Sequence, residues 1–233
     1  MQDRHWISRT TALIGEEKLN KLISSHVLVV GLGGIGSFAA EFIARAGVGK
    51  MTIVDGDVVD PTNRNRQLQA MLSTHGVSKA DLMAARLKDI NPEIEVKIIK
   101  EFLSPQKAFD IIQEENYDYI VLLQPTSPLR NEKHIDEAIE LLEEKQADAI
   151  VSVCEMDHSP LWSNTLPKDG NMNNFLRDEV LNKRSQDLEK YYRVNGAVYI
   201  CKTDKLLENK SFFLKDNIFG YIMDRKSSID IDE

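Results

Sequence analysis

The sequence predicts an α/β protein, a Rossmann-like and mostly parallel sheet with helices on both faces, and three observations carry that prediction. Short apolar runs at 27–30, 51–54, 94–100, 119–123, 149–153 and 195–200 are too short for helices and rich in β formers, so they read as strands. Segments with apolar residues at helical spacing, such as 79–90 and 132–144, lie between them, which is the alternation of βαβ units. The glycine run Gly31-Leu32-Gly33-Gly34-Ile35-Gly36 falls between the first strand and the helix after it.

Composition narrows the class. With 233 residues and 42% hydrophobic content, the chain can bury one large core or two small ones. The formal net charge of -8 argues against broad binding to a phosphate backbone and leaves room for a local basic patch that meets RNA. Cys154 and Cys201 are isolated, and neither a secretory signal nor a long apolar span is evident, so a cytoplasmic protein without a membrane partner is expected.

Residues 15–24 carry Leu19, Leu22 and Ile23 at helical spacing and predict a short amphipathic helix. Arg4 and Arg9 precede it on an arm that reads as a mobile tail, with a functional role for either arginine as the alternative. The strand at 27–30, the glycine run and a helix over 37–46 then follow in the order that lets a phosphate sit on free backbone N–H groups at a helix N-terminus. Any Cβ in that turn would block the close approach of the phosphate. The second strand ends at Asp55, roughly 20 residues beyond the last glycine, where a ribose-binding acid is expected. The plainer reading is a tight turn that packs helix on strand. NAD is the obvious nucleotide, yet Pro61-Thr62-Asn63-Arg64-Asn65-Arg66-Gln67 is dense in polar and cationic groups that a hydride cofactor does not need. Arg66 and Lys79 suit the oxygens of a triphosphate instead.

A helix over 79–90, a strand over 94–100 and a helix with Ser104 as N-cap and Pro105 at its first position continue the pattern. The strand at 119–123 reads as buried and ends at Gln124, where Pro125 and Pro128 stop any ladder. A polar loop at the carboxyl end of a strand is a natural ligand site. Asn131 caps the helix at 132–144, whose Ile135, Ile139 and Leu142 make a buried stripe. A buried strand at 149–153, a polar insertion around 162–192 and a strand at 195–200 containing Tyr199 follow. Arg184 is either a partner for a carboxylate or a surface residue, Phe212 and Phe213 are either site or core, and His158 reads as structural. Asp230 and Asp232 share one side of an extended segment, which suits Mg²⁺, while a solvated acidic tail is the other reading.

Residues from about 8 to 119 resemble the ubiquitin-activating-enzyme-like adenylyltransferases of the ThiF and MoeB type, the tRNA threonylcarbamoyladenosine dehydratases in particular. The matching text is Ser8-Arg9-Thr10, the glycine run with Ser37, Ala46-Gly47-Val48-Gly49, Val54-Asp55-Gly56-Asp57, Asn63 through Gln67, Lys79 and Asp89-Ile90-Asn91-Pro92-Glu93. The resemblance implies that Gly31, Gly33, Gly34, Gly36, Asp57 and Gln67 belong to an ATP site whose ribose Asp55 holds. It places Asn63, Arg66 and Lys79 around the phosphates, counts Arg9, Arg66 and Lys79 as catalytic, and has Arg9 reach across a homodimer. That family ends the next strand in Asp-x-x-Asp, whose acid handles magnesium; Gln124-Pro125 stands there instead.

From residue 117 onward the chain resembles the acylneuraminate cytidylyltransferases, on Leu122 through Arg130, Asp148 through Glu155, His158 through Trp162, Arg184-Ser185-Gln186-Asp187-Leu188, Tyr192 through Tyr199 and Ser228 through Asp232. This resemblance implies that Gln124, Arg184, Asn195, Tyr199, Phe212 and Phe213 hold a sugar acid, that Asp230 and Asp232 hold Mg²⁺, and that 162–192 is a protruding dimerisation arm. The expectation is therefore a chimera: an ATP-binding half over 1–118 and a sugar-acid half over 119–233, completing one continuous sheet. Both families attack the α-phosphorus of a nucleoside triphosphate and release pyrophosphate. The leading expectation is magnesium-dependent activation of a nine-carbon sugar acid by CTP or ATP. The alternatives are an ATP-dependent adenylyltransferase of the tRNA dehydratase type, and a nucleotide-binding chimera without turnover.

Overall fold

Two helices precede the first strand, α1 (Ser8–Ile14) and α2 (Glu16–Ser24), parted by Gly15 at a positive φ. The computed structural model describes residues 5–184 and 187–231, which leaves Arg4, Ser185, Gln186 and Asp232 outside the described residues. The mobile tail expected before residue 15 is thus helical from Ser8. Its anchor is tertiary: Ile7 is buried where a Cβ on Gly47 would come within 2.3 Å of its Cδ1. Gly47 can occupy that place because it has no side chain and holds a left-handed φ of 104° at the end of a helix.

The chain divides into two compact units, Met1–Tyr117 and Asp118–Glu233. In the first, β1 (His26–Val30), α3 (Gly36–Ala46), β2 (Lys50–Val54), α4 (Lys79–Ile90), β3 (Glu95–Ile99) and α5 (Pro105–Glu115) alternate as the sequence predicts. The three strands run parallel in the order β1-β2-β3, with Val27 opposite Met51 and Val54 opposite Ile99. Leu32, Ala40, Ala44, Met51, Ile53, Met83 and Leu87 form one core, so α3 and α4 bury their apolar stripes against the sheet. Ser78 accepts a hydrogen bond from Asp81 N at the start of α4, and Ser104 one from Lys107 N at the start of α5, whose first residue is Pro105. Glu41 on α3 clamps the pair: it accepts from Arg45 of its own helix at 2.8 Å and from Arg86 of α4.

The second unit holds β4 (Tyr119–Leu122), α6 (Glu132–Glu144), β5 (Ala149–Glu155), β6 (Tyr192–Lys202), α7 (Thr203–Asn209) and β7 (Ile218–Met223). Its sheet has the order β4-β6-β5-β7; β5 and β7 are parallel, and β6 runs antiparallel to both β4 and β5. One expectation, a buried β4, is corrected here. The described strands make two ladders, three-stranded in the first unit and four-stranded in the second, where β4 pairs with the long strand β6. As the outer strand of its ladder, β4 is not buried: Tyr119, Val121 and Leu122 are exposed. Ala138, Leu142, Ile150, Val198, Ile200 and Tyr221 form the core, on which α6 lays the stripe that its spacing predicts. Asn131 caps α6 through His134 N, and the His134 ring accepts from Asn131 N in return. Residues 163–177 contain no helix or strand and are almost wholly exposed. No helix among the described residues is long and apolar enough to cross a membrane.

Candidate functional site

In the first unit the glycine run lies at the carboxyl end of β1, the position where open parallel sheets bind ligands. Gly31 takes a φ of 82° and donates its N–H to Val54 O at 2.8 Å, which ties the turn to β2. A Cβ on Gly36 would lie 1.8 Å from Gly31 O, so the loop closes only because that position is glycine. The N-terminus of α3 begins there with no side-chain cap. Its first N–H groups and its dipole therefore favour an anion.

Asp55 is built into the same loop. Its carboxylate accepts from Leu32 N at 2.7 Å and from Asp57 N at 2.8 Å, so the expected ribose acid also orders the turn. Asp57 pairs with Lys79, whose Nζ stands 2.9 Å away and is almost fully buried. Asn63, also buried, accepts from Asp60 N and so closes a capping box with Asp60. The hydroxyl of Thr62 holds the Asp60 carboxyl below the usual carboxylate range. Arg66 is exposed and donates to Thr62 O and to Asn65 Oδ1, both at 3.0 Å. It covers the glycine run, since a Cβ on Gly34 would meet Arg66 O at 3.4 Å and Arg66 Cγ at 3.6 Å. Gln67 is buried beside Gly33, its Nε2 3.9 Å from the place of a Gly33 Cβ and its Oε1 without a partner. The predicted residues Gly31, Gly33, Gly34, Gly36, Asp55, Asp57, Arg66, Gln67 and Lys79 therefore meet around one loop, while Arg9 lies exposed on α1.

Two residues outside the predicted set complete the construction. Ser37 donates to Gly33 O at 2.6 Å and accepts from Leu68 N, and Gln69 donates to Leu32 O at 2.7 Å. Two of these three contacts cross more than 30 residues of chain and the third lies inside the motif, and the only sequence signal was a polar residue in a stretch bound for burial.

In the second unit, Gly196 is the centre. It has a φ of 72°, and a Cβ there would lie 2.2 Å from Gln124 Oε1 and 3.7 Å from Asp230 Oδ2. Three residues along β6, Tyr199 stands with its ring 5.9 Å from that of Phe212 and 6.1 Å from that of Phe213, both edge-on. Burial, and then the charge of Asp230, push the Tyr199 hydroxyl above its ordinary pKa. Half-buried Arg130, which sequence reading left out, donates to Gln124 O at 2.8 Å and Ala197 O at 2.9 Å and fixes the loop after β4.

Two further residues of the expected sugar-acid set are placed by their own contacts. Asn195, expected to touch a ligand, is fully buried: its Oδ1 accepts from Ser152 at 2.6 Å and its Nδ2 donates to Ser228 at 2.8 Å, so it braces β6. Arg184 is exposed in the loop before β6, its backbone N–H on Asp187, and is not among the residues that meet at Gly196. Asp230 joins the cluster, and Asp232 lies outside the described residues. Among the described residues no group of three or more His, Cys, Asp or Glu side chains is placed to hold a metal ion.

Comparisons with known proteins bear on the first unit most heavily. The model of the ThiF family matches residues 7–145. Over 117 residues the chain is 50% identical to a tRNA threonylcarbamoyladenosine dehydratase of Bacillus subtilis (strain 168), covering 50% of this chain and 46% of the relative. The Escherichia coli (strain K12) protein of the same name is 40% identical over 112 residues, 48% of this chain and 41% of the relative. Among solved structures, the E. coli dehydratase TcdA in complex with ATP is similar at 40% identity and a TM-score of 0.46, covering 47% of this chain and 45% of that one. The chain thus spans less than half the length of these relatives.

Proposed function

Because the chain belongs to the ThiF family, we propose that its first unit binds ATP at the glycine loop and transfers the adenylyl group to an acceptor, with a carboxylate or a modified tRNA as the acceptor class. The observation that carries this reading is the meeting of the Gly31–Gly36 backbone with Asp55, Arg66 and Gln67, and of Asp55 with Asp57, which pairs with Lys79. In the reaction an acceptor oxygen forms a bond to the α-phosphorus, the bond from that phosphorus to the bridging oxygen breaks, and pyrophosphate leaves with the electron pair. The protein's part is electrostatic. N–H groups at the start of α3 take phosphate oxygens, and the Arg66 guanidinium and Lys79 ammonium neutralise charge that grows on the departing pyrophosphate. Asp55 holds the ribose while it keeps the loop in shape. Arg9 would act from a second copy of the chain in a homodimer. Mg²⁺ held by the triphosphate itself would neutralise further charge on the leaving pyrophosphate. The cytoplasm is the proposed compartment, consistent with two buried free thiols.

The test is ATP–pyrophosphate exchange. Wild type should exchange label, and Arg66→Ala should lose about 100-fold or more of the rate. No exchange by wild type, with ATP bound, selects the reading of a nucleotide-binding protein without turnover.

A second reading concerns the second unit, supported by the meeting of Gln124, Tyr199, Phe212, Phe213 and Asp230 around Gly196. An apolar aromatic wall beside an amide and a carboxylate suits a polyhydroxylated sugar acid activated by CTP. Pyrophosphate release from CTP that requires N-acetylneuraminate and is lost in Tyr199→Ala supports it, and release with neither dependence removes it.

A further inference from the structure

The glycine loop carries few side chains with which to hold itself. Leu32, its only fully buried member, has both peptide groups bound by distant side chains: its N–H donates to Asp55 Oδ2 at 2.7 Å, and its C=O accepts from Gln69 Nε2, also at 2.7 Å. Gln69 is itself buried, and its backbone carbonyl accepts from the Thr74 hydroxyl at 2.8 Å, so the amide is presented from a fixed point. Its other end, Oε1, has no partner, so the Leu32 carbonyl is the contact that orients the amide.

A trans peptide is planar, and its C=O and the next residue's N–H point in opposite directions. Drawing the Leu32 carbonyl towards Gln69 therefore aims the Gly33 N–H the other way. Gly33 supplies no steric preference of its own, since glycine visits both signs of φ with similar ease. Without the Gln69 amide, the 32–33 peptide is free to turn over, and the buried carbonyl would gain by doing so.

We propose that Gln69 is a positioning residue for the nucleotide site, fixing the Leu32–Gly33 peptide so that the Gly33 N–H is presented to a phosphate. The inference rests on the ATP reading of that loop. Three variants test it. Gln69→Met keeps the reach of the side chain and loses the donor; Gln69→Glu keeps the shape and loses the donor; Gln69→His puts a ring N–H at a similar reach. Calorimetric ATP affinity should fall about tenfold in the Met and Glu variants, the scale of one hydrogen bond, and return to within about threefold of wild type in the His variant. In the exchange assay the loss should lie in KM for ATP, with kcat little changed, whereas a merely structural defect lowers the thermal midpoint and leaves KM alone. Relaxation dispersion at the Gly33 amide of the free protein should appear in the Met and Glu variants only. Unchanged affinity together with a quiet Gly33 amide in a folded Met or Glu variant overturns the proposal. Should wild type bind no ATP, the nucleotide reading fails by itself, and the Gly33 amide still decides whether Gln69 holds the peptide.

Discussion

In the first unit the candidate site is nearly one stretch of chain: a glycine run, an acid at the end of the next strand and a polar loop, all within residues 31–79 of a parallel sheet. In the second, the cluster draws on residues 124, 196, 199, 212, 213 and 230, gathered by an antiparallel strand that pairs on both sides. The difference lies in what yields under pressure. A Cβ on Gly36 would meet a backbone carbonyl, which belongs to the loop itself; a Cβ on Gly196 would meet the end of the Gln124 side chain, which can swing away.

The sharpest way to break that contrast is to add a methyl group to each glycine. Gly36→Ala should abolish nucleotide binding and cost the first unit about 3 kcal/mol or more, read by calorimetry and urea unfolding. Glu41→Gln comes next. Removing the charge that holds Arg45 and Arg86 should cost about 2 kcal/mol, discounted from a fully buried pair because both arginines are half exposed. The hydrogen bond from Arg86 keeps the Glu41 carboxyl below its ordinary pKa. Its contribution is therefore complete above the unfolded value of about 4.3 and is lost as pH falls through the lower folded value. Wild type should lose stability in that acid window, and the Gln variant should lose less. Gly196→Ala should cost about 1–2 kcal/mol for the positive φ alone and leave ATP binding untouched. A cost equal to that of Gly36→Ala would erase the distinction between the two glycines.

The smallest effect concerns Cys201, whose thiol burial pushes up to about 11. It should resist aromatic disulfide reagents at pH 8 and react only in denaturant, as a thiol count with and without guanidinium reads directly. Because the folded value exceeds the unfolded one of about 8.5, its contribution is complete below that pH and disappears as pH rises towards 11.

The sequence was most readable where the chemistry is contiguous. The strand, glycine run and helix at residues 26–46 lie where periodicity and the glycines put them, and the bounds of α4 and α6 agree with the prediction. What was not readable depends on contacts far along the chain. Helix α1 looked like a tail because nothing local reveals that Ile7 packs against Gly47. An apolar run reads the same whether a strand is central or at an edge, which is why β4 was expected to be buried. Asn195 entered the expected set only through the family resemblance, and a sequence does not show the two serines, 43 and 33 residues away, that its amide meets.

The Lys79–Asp57 pair carries one further consequence. A buried ammonium with a single carboxylate companion is a balance with one weight already on it. On the proposed ATP reading, an anion bearing more charge than that carboxylate competes best for the ammonium, so a triphosphate should bind more tightly than a monophosphate.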